Sequence, residues 1–321
     1  MYASYFGLKE PPFGLTPNPK YFFRTESFLE AISSLKYGIE QNKGIVLMTG
    51  EVGTGKTTTL RAAIKGFGDD ILAAYIFNPY LTVAEFFEQF RYAIGFSSKD
   101  IASKAQMLNS LGRFLVGRHQ RGLKTALIVD EAHGLSMPLL EEIRLLLNFE
   151  TDQDKLLQIV LCGQPELELL LNRPQLRQLK QRVSVRCVVR PLTIFEVDRY
   201  IRFRLKVAGA ESLNIFEEQA VRLIYRASSG IPRIINNLCD NSLLFGYAAA
   251  QKKITRGTVE EVIDRLAMTA GTLEVPCSEV TAPGRPSWRT PAYPQPEARL
   301  DRQAQVKQAP EVNKDSVGMF D

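Results

Sequence analysis

The chain has 321 residues, 45% hydrophobic and 23% charged, which is the composition of a globular protein that can fill a core. Its net charge of +5 permits nucleic acid or acidic lipid as a partner without requiring either. Four cysteines without a C-x-x-C pair and two histidines argue against a zinc site or a disulfide framework, so we expect buried free thiols in a reducing compartment.

The N-terminal sequence MYASYFGLKEPPF has neither a basic region nor an apolar region, so we do not expect a signal peptide. The longest apolar runs, such as 126–129 and 159–162, have the length of strands and are far shorter than the roughly 20 residues that cross a bilayer. We therefore expect a cytoplasmic protein without a transmembrane segment, peripheral at the inner membrane only through a partner.

Along the chain, five aliphatic runs predict strands at 45–49, 71–77, 125–129, 156–162 and 183–189. They show little alternation, which is typical of parallel strands covered on both faces. Helical patterns follow the first three strands at 58–67, 82–94 and 138–149, and Thr82 with Glu85 has the spacing of a capping box. This alternation predicts an α/β fold, a parallel sheet with helices on both faces.

After about residue 191 the strand-like runs stop. Amphipathic patterns predict helices at 194–207, 217–228, 232–250 and 256–268, which would form a small all-helical domain. From residue 271 the chain is rich in proline and polar residues and poor in aliphatic ones, which is typical of disorder. We therefore expect an α/β domain at 1–191, a helical domain at 192–270 and a disordered tail at 271–321.

The sequence GEVGTGKT at 50–57 matches the phosphate-binding pattern G-x-x-x-x-G-K-[ST] and lies between a predicted strand and a predicted helix. Backbone N–H groups and the helix dipole attract phosphate in this setting. Lys56 would bind the phosphates of ATP, and the Thr57 hydroxyl would complete a Mg²⁺ shell. We expect nine residues to contact the nucleotide: Gly50, Glu51, Val52, Gly53, Thr54, Gly55, Lys56, Thr57 and Thr58.

The third predicted strand ends in two carboxylates, Asp130 and Glu131. Asp130 would hold Mg²⁺ and Glu131 would act as the general base toward water. A solvated turn is the alternative, and a P-loop about 75 residues earlier favours catalysis. The sequence DEAH at 130–133 also occurs in helicases, but the chain after residue 191 is too short and too helical for a second RecA-like domain. We interpret His133 as a packing or polar-contact residue.

Three further residues are candidates with open alternatives. Gln164, which follows the fourth strand run in CGQPE, would touch the γ-phosphate or the attacking water, or else caps a turn. Arg182 precedes the fifth strand and would be an arginine finger for a neighbouring subunit, with Arg177 as the second candidate, or else belongs to a basic face. Arg233 would lean toward the nucleotide, or else is a surface residue.

Together these residues resemble an AAA+ ATPase of the origin-recognition-like branch, and more closely the ExeA/GspA (general secretion pathway protein A) family. The resemblance covers about residues 1–268 and includes YFGLKEPPF at 5–13, LCGQPEL at 161–167 and SGIPR at 229–233. It implies a P-loop NTPase fold with a helical lid domain and a homo-oligomer. By position it implies a Walker B pair at Asp130 and Glu131, sensor 1 at Gln164, an arginine finger at Arg182 and sensor 2 at Arg233.

The resemblance also implies that Phe6 and Phe13 line the adenine pocket, and ordinary core packing is the alternative for both. An N-terminal adenine-pocket segment is therefore expected as part of the α/β domain. Proteins of this family continue into a membrane segment and a peptidoglycan-binding region, which these 321 residues do not contain. Direct peptidoglycan binding is accordingly not expected of this chain.

The resemblance implies an energy-coupling or assembly ATPase for an envelope secretion or polysaccharide-export system, with an envelope or secretion-system protein as partner. The alternative is a DNA-associated AAA+ ATPase of the TniB-like transposition-helper type. DNA binding is possible but not indicated, because no DNA-reading module is recognisable. Intact Lys56, Asp130 and Glu131 argue against a switch that binds nucleotide without hydrolysing it.

Overall fold

The computed structural model describes residues 1–16, 18–77, 80–96 and 103–270, with side chains described as far as residue 266. Five parallel strands form one sheet in the order β2-β3-β4-β1-β5. This order confirms the predicted parallel α/β sheet. The strands are β1 (Ile45–Thr49), β2 (Ile71–Ile76), β3 (Lys124–Val129), β4 (Gln158–Gly163) and β5 (Val183–Val188).

Twelve α-helices occur among the described residues, and none of them combines the length and the hydropathy that crossing a bilayer requires. They are α1 (Tyr2–Tyr5), α2 (Glu26–Glu40), α3 (Lys56–Lys65), α4 (Val83–Ala93), α5 (Lys104–His119), α6 (Met137–Leu146), α7 (Glu166–Leu171), α8 (Arg177–Gln181), α9 (Ile194–Val207), α10 (Glu218–Ser228), α11 (Pro232–Ala248) and α12 (Arg256–Ala270).

Helices cover both faces of the sheet, as predicted. Ile45 and Leu47 of β1 belong to an apolar cluster with α4, α5 and α6, whereas Val46 and Met48 belong to a second cluster with α2 and α3. Alternate residues of one strand thus enter two cores, which explains the lack of alternation in the sequence. The edge strand β5 differs, because Arg186 and other alternate residues of it are exposed.

Local sequence explains where several helices begin. Thr82 and Glu85 form the predicted capping box at the start of α4, and Thr193 forms a second one with Glu196 at the start of α9. The long helices α2 and α5 were not among the predicted elements. In α2 the buried residues Phe28, Ala31, Leu35 and Ile39 recur at helical spacing, so the signal was present.

A third apolar cluster joins the helices α9 to α12 to the N-terminal segment. Phe6 and Phe13 lie in this cluster, and the ring of Phe13 packs edge-on against Phe216 at 6.0 Å. The described part of the chain belongs to one compact unit, so the domain boundary at residue 191 stays a prediction. The predicted tail at 271–321 lies outside the described residues.

Three cysteines, Cys162, Cys187 and Cys239, are buried and unpaired, as the sequence predicts for free thiols. Burial raises the pKa of Cys187 to about 12 and raises the pKa of Cys162 and Cys239 well above the ordinary thiol value. Thiols of this kind are poor nucleophiles, because the reactive species is the thiolate. Cys277 lies outside the described residues.

We therefore expect the variant Cys277→Ser to show no rapidly reacting thiol at pH 8 while it is folded. With a pKa near 12, as at Cys187, the thiolate fraction at this pH is only about one in 10⁴. Titration with an aromatic disulfide reagent measures this, and unfolding in guanidinium should release three reactive thiols. A rapid stoichiometric reaction of the folded variant would contradict the burial of the three side chains.

Candidate active site

The glycine-rich loop at 50–55 joins β1 to α3 and lies at the carboxyl end of the parallel sheet. Gly53 and Gly55 have φ angles of +83° and +99°, which glycine adopts at little steric cost. The buried Lys56 side chain curls over the loop, and its Nζ donates to the carbonyls of Gly50 at 2.9 Å and Glu51 at 3.1 Å. The loop is therefore a closed turn with an ammonium group at its centre.

Asp130, which directly follows β3, accepts hydrogen bonds from three different parts of the site. Its Oδ2 accepts hydrogen bonds from the hydroxyls of Thr57 and Tyr75, each at 2.7 Å. Its Oδ1 accepts from the backbone N–H of Glu131 at 2.9 Å. Only 3% of Asp130 is exposed, so these donors replace water around the carboxylate. The structure thus brings together the predicted metal-binding pair, Thr57 and Asp130.

Tyr75 was not predicted as a site residue. It lies on β2 opposite Ile128 of β3, and this register places its hydroxyl beside Asp130. Burial and the hydrogen bond to Asp130 raise the pKa of Tyr75, so its hydroxyl remains a donor at neutral pH. A tyrosine in an otherwise aliphatic strand was the available signal, but the strand pairing that gives it a role is not visible in the sequence.

Glu131 adopts a left-handed backbone conformation with φ +52°, which is unusual for a residue other than glycine and turns the chain sharply after β3. Its Oε2 lies 3.5 Å from Nδ1 of His133. On the other side of the ring, Nε2 of His133 lies 3.0 Å from Nε2 of Gln164. The predicted polar-contact role of His133 is confirmed, because it lies between two predicted catalytic residues.

Gln164 contacts both nitrogens of the His133 ring. Its side-chain amide lies 3.0 Å from Nε2, and its backbone N–H donates to Nδ1 at 3.5 Å. The Glu131 carboxylate lies 3.5 Å from the same Nδ1. Gln164, His133 and Glu131 therefore form one connected group of polar side chains beside the glycine-rich loop.

A cleft of about 490 Å³ opens beside the glycine-rich loop. Residues 52–59 form its floor, the N-terminal segment and helices α9 and α11 form the walls, and Glu131 and Gln164 also border it. Phe6 and Phe13 do not line this cleft; both pack in the apolar cluster of α9 to α12, so the adenine-pocket expectation is wrong for these two rings. The aromatic residues that do line it were missed: Tyr21, Phe22, Phe23, Phe28 and Tyr200.

Arg233, at the start of α11, meets the glycine-rich loop directly. Its backbone N–H donates to the Gly53 carbonyl at 3.3 Å, and its exposed side chain lines the cleft. A methyl group on Gly53 would lie 2.8 Å from Cβ of Arg233. The helical part of the chain therefore packs against the phosphate-binding loop, with a cation placed at the contact.

Arg182 lies away from the cleft. It directly precedes β5, whose first residue Val183 pairs with Ile45 at the beginning of β1. The glycine-rich loop follows the carboxyl end of β1, so Arg182 and this loop lie at opposite ends of the strands. The guanidinium donates to the Arg144 carbonyl at 3.3 Å and to Asn148 Oδ1 at 2.9 Å. Any contact of Arg182 with a nucleotide therefore requires a second subunit.

These residues fit ATP with Mg²⁺. The turn of backbone N–H groups at a helix N-terminus suits polyphosphate, and Lys56 supplies the charge. Among the described residues no group of three or more Asp, Glu, His or Cys side chains surrounds a metal position. One hydroxyl and one carboxylate, Thr57 and Asp130, match Mg²⁺ held together with phosphate oxygens and water rather than in a protein cage.

A pair of substitutions tests the packing of α11 on the loop. Alanine at Gly53 or at Gly55 brings the strain of a positive φ, about 1–3 kcal/mol in each case. Only Gly53→Ala adds a clash with Arg233, because a Cβ at Gly55 meets nothing within 4 Å. We expect calorimetry without nucleotide to give a lower Tm for Gly53→Ala than for Gly55→Ala. Equal shifts would mean that α11 does not press on the loop.

Comparison with known proteins matches the glycine-rich loop and the residues around it to a described family. A family model described as "AAA domain" matches residues 39–171, which include the glycine-rich loop, Asp130, Glu131 and Gln164. General secretion pathway protein A of Aeromonas hydrophila is 43% identical over 263 residues, which cover 81% of this chain and 47% of that protein. The chain thus spans about half the length of this curated relative.

Solved structures share the fold at low sequence identity. Cdc6p from Pyrobaculum aerophilum matches with a TM-score of 0.58 at 18% identity, covering 76% of this chain and 67% of that one. A Drosophila ORC structure bound to DNA matches with a TM-score of 0.60 at 20% identity, covering 81% of this chain and 65% of that one. The expected AAA+ fold with origin-recognition-like relatives is confirmed.

Proposed function

We propose that this chain, an AAA+ P-loop protein related to general secretion pathway protein A, binds ATP with Mg²⁺ and hydrolyses it at the cleft beside β1. One observation carries the proposal. The Thr57 hydroxyl donates to Asp130 at 2.7 Å, which joins the phosphate-binding loop to the carboxylate pair at the carboxyl edge of the sheet. These parts lie 73 residues apart in the chain and meet where nucleotide chemistry needs them.

The roles of the residues follow from their positions. Lys56 and the loop N–H groups bind the β- and γ-phosphates. Thr57 with Asp130 would hold Mg²⁺, which would neutralise charge on these phosphates. Glu131 takes a proton from a water molecule while the oxygen of that water attacks the γ-phosphorus. The bond from that phosphorus to the bridging oxygen then breaks, leaving ADP and phosphate. Gln164 orients Glu131 through the His133 ring.

At the level of the cell, we propose an energy-coupling or assembly ATPase for an envelope secretion or polysaccharide-export system. The support is the 43% identity to a protein named for the general secretion pathway. The chain would act as a homo-oligomer in the cytoplasm or at the inner membrane, through an envelope or secretion-system partner. The DNA-associated alternative is not favoured, since the ORC structure bound to DNA is only 20% identical and supports the fold alone.

Nucleotide binding is tested by Lys56→Ala. The variant loses the ammonium at the centre of the loop. Affinity for a fluorescent ATP analogue should therefore fall by about 100-fold, the effect of losing about two charge-assisted hydrogen bonds to the phosphates. The matched control is Lys65→Ala, at the exposed end of the same helix, which should bind as the unaltered protein does. Unchanged affinity in Lys56→Ala would refute the phosphate-binding assignment.

Catalysis across a subunit interface is tested by mixing two inactive variants. Glu131→Gln should bind ATP and hardly hydrolyse it, because water lacks its base. Arg182→Ala should also bind ATP and lose turnover, because a neighbouring site lacks this cation. An arginine finger contributes about 10³–10⁵ in rate, so a minority of interfaces with one intact Glu131 and one intact Arg182 should restore measurable activity.

The control for this experiment is the same mixture made with Arg177→Ala. Arg177 is exposed at the start of α8 and is the alternative finger. If Glu131→Gln with Arg182→Ala stays inactive although mixed oligomers form, the trans role of Arg182 is wrong. Loss of turnover in Arg177→Ala, with recovery on mixing, would then assign the role to Arg177.

A further inference from the structure

A chain of three buried polar side chains runs from the interior of the helical region to the cleft. Arg204 and Tyr200 lie on α9, and Asn236 lies on α11. Nη1 of Arg204 contacts the Tyr200 hydroxyl at 2.7 Å, and this hydroxyl contacts Oδ1 of Asn236 at 2.8 Å. All three residues are at least 93% buried, yet each also borders the cleft.

The direction of these hydrogen bonds is fixed by chemistry. A guanidinium only donates, so the Tyr200 oxygen accepts from Arg204 and its own proton points onward to Asn236. Burial raises the pKa of Tyr200, and the hydroxyl therefore keeps that proton. Oδ1 of Asn236 is thus committed as an acceptor, and the group left over is the Nδ2 amide, a donor.

Arg204 cannot easily turn and reverse this order. Its Nε donates to the Pro12 carbonyl at 2.6 Å, and its Nη2 donates to the Gly14 carbonyl at 3.4 Å. The guanidinium carbon also lies 4.7 Å from the ring centre of Tyr21 and 5.5 Å from that of Tyr200. Among the described residues no carboxylate forms an ion pair with it, so backbone carbonyls and rings hold this cation in place.

Asn236 lies one helical turn beyond Arg233 on α11, on the same face. Arg233 contacts Gly53 of the phosphate-binding loop, and three residues of helix advance about 4.5 Å along the axis. Asn236 therefore borders the cleft beyond the loop contact, beside Tyr200, whose ring packs against Phe23 of the N-terminal segment at 5.7 Å. Its Nδ2 makes no hydrogen bond to any residue that the structure describes, and Asn236 is only 7% exposed.

We propose that Asn236 reads the base of the nucleotide, with Nδ2 donating a hydrogen bond to a ring nitrogen of adenine. Arg204 and Tyr200 are positioning residues that keep the amide nitrogen, rather than the amide oxygen, toward the base. Nδ2 of Asn236 is a donor that opens to the cleft, since among the described residues the Ser242 hydroxyl is the buried side-chain group without a hydrogen-bond partner. An unprotonated ring nitrogen is the acceptor that adenine offers to such a donor. This inference rests on the proposed ATP binding and extends it to the recognition of the base.

The test is a set of ATP analogues in which N1, N3 or N7 is replaced by C–H. In the unaltered protein, one analogue should bind about 10-fold more weakly than ATP, and the other two should bind as ATP does. Equal affinity for ATP and all three analogues would overturn the proposal. Because this arm uses the unaltered protein, it does not depend on whether any variant folds.

Variants then assign the contact to Asn236. In Asn236→Leu the 10-fold difference between ATP and the weak analogue should disappear, and in Tyr200→Phe it should shrink, because the amide is no longer held. The control Asn237→Ala, at the next and exposed position of α11, should keep the full difference. A difference that persists in Asn236→Leu would overturn the role of Asn236.

Inorganic tripolyphosphate separates this inference from the proposed function. Asn236→Leu and the unaltered protein should bind tripolyphosphate with the same Kd in direct titration calorimetry, because the phosphates do not meet Asn236. Lys56→Ala should lose tripolyphosphate binding. If the unaltered protein binds neither ATP nor tripolyphosphate, the proposed function fails. If it binds both but shows no analogue difference, the base-reading role alone fails.

Discussion

The site depends on the buried carboxylate of Asp130. A carboxylate that is 97% buried must be surrounded by donors, since burial of an unpaired charge is unfavourable. The donors come from three places in the chain: Thr57 on α3, Tyr75 on β2 and the backbone of Glu131. All three donors must be in place at once. Asp130 therefore fixes helix α3 to the sheet and sets the direction of the chain at Glu131, where it leaves β3.

The cleft depends on a second contact, between the glycine-rich loop and the start of α11. Gly53 has room for no side chain there, because Arg233 occupies the space where a Cβ would lie. The N-terminal segment is held to the same helical region by Arg204, which bonds the carbonyls of Pro12 and Gly14. The walls of the cleft are therefore tied to its floor, and movement of the helical part would change the cleft that a nucleotide occupies.

The sequence predicted the features that depend on local spacing. The P-loop pattern, the strand ending in Asp130 and the capping box at Thr82 are short motifs with their own geometry, and the structure confirms all three. Features that depend on strand pairing or on distant packing were not predictable. Tyr75 gains its role only from its register with β3, and the rings lining the cleft follow from how the N-terminal segment crosses α9.

Two chains of polar contacts border the cleft. One joins Gln164, His133 and Glu131; in the other, Arg204 donates to Tyr200, which donates to Asn236. The second chain begins with a guanidinium, which can only donate, so its direction cannot reverse without breaking a hydrogen bond at its origin. The first chain presents a carboxylate, which suits the abstraction of a proton from water. The second presents an N–H donor, which suits a base with an unprotonated ring nitrogen. One chain thus ends in an acceptor and the other in a donor. The first suits the phosphate end of a nucleotide and the second suits its base, and the glycine-rich loop sets the position of the phosphates.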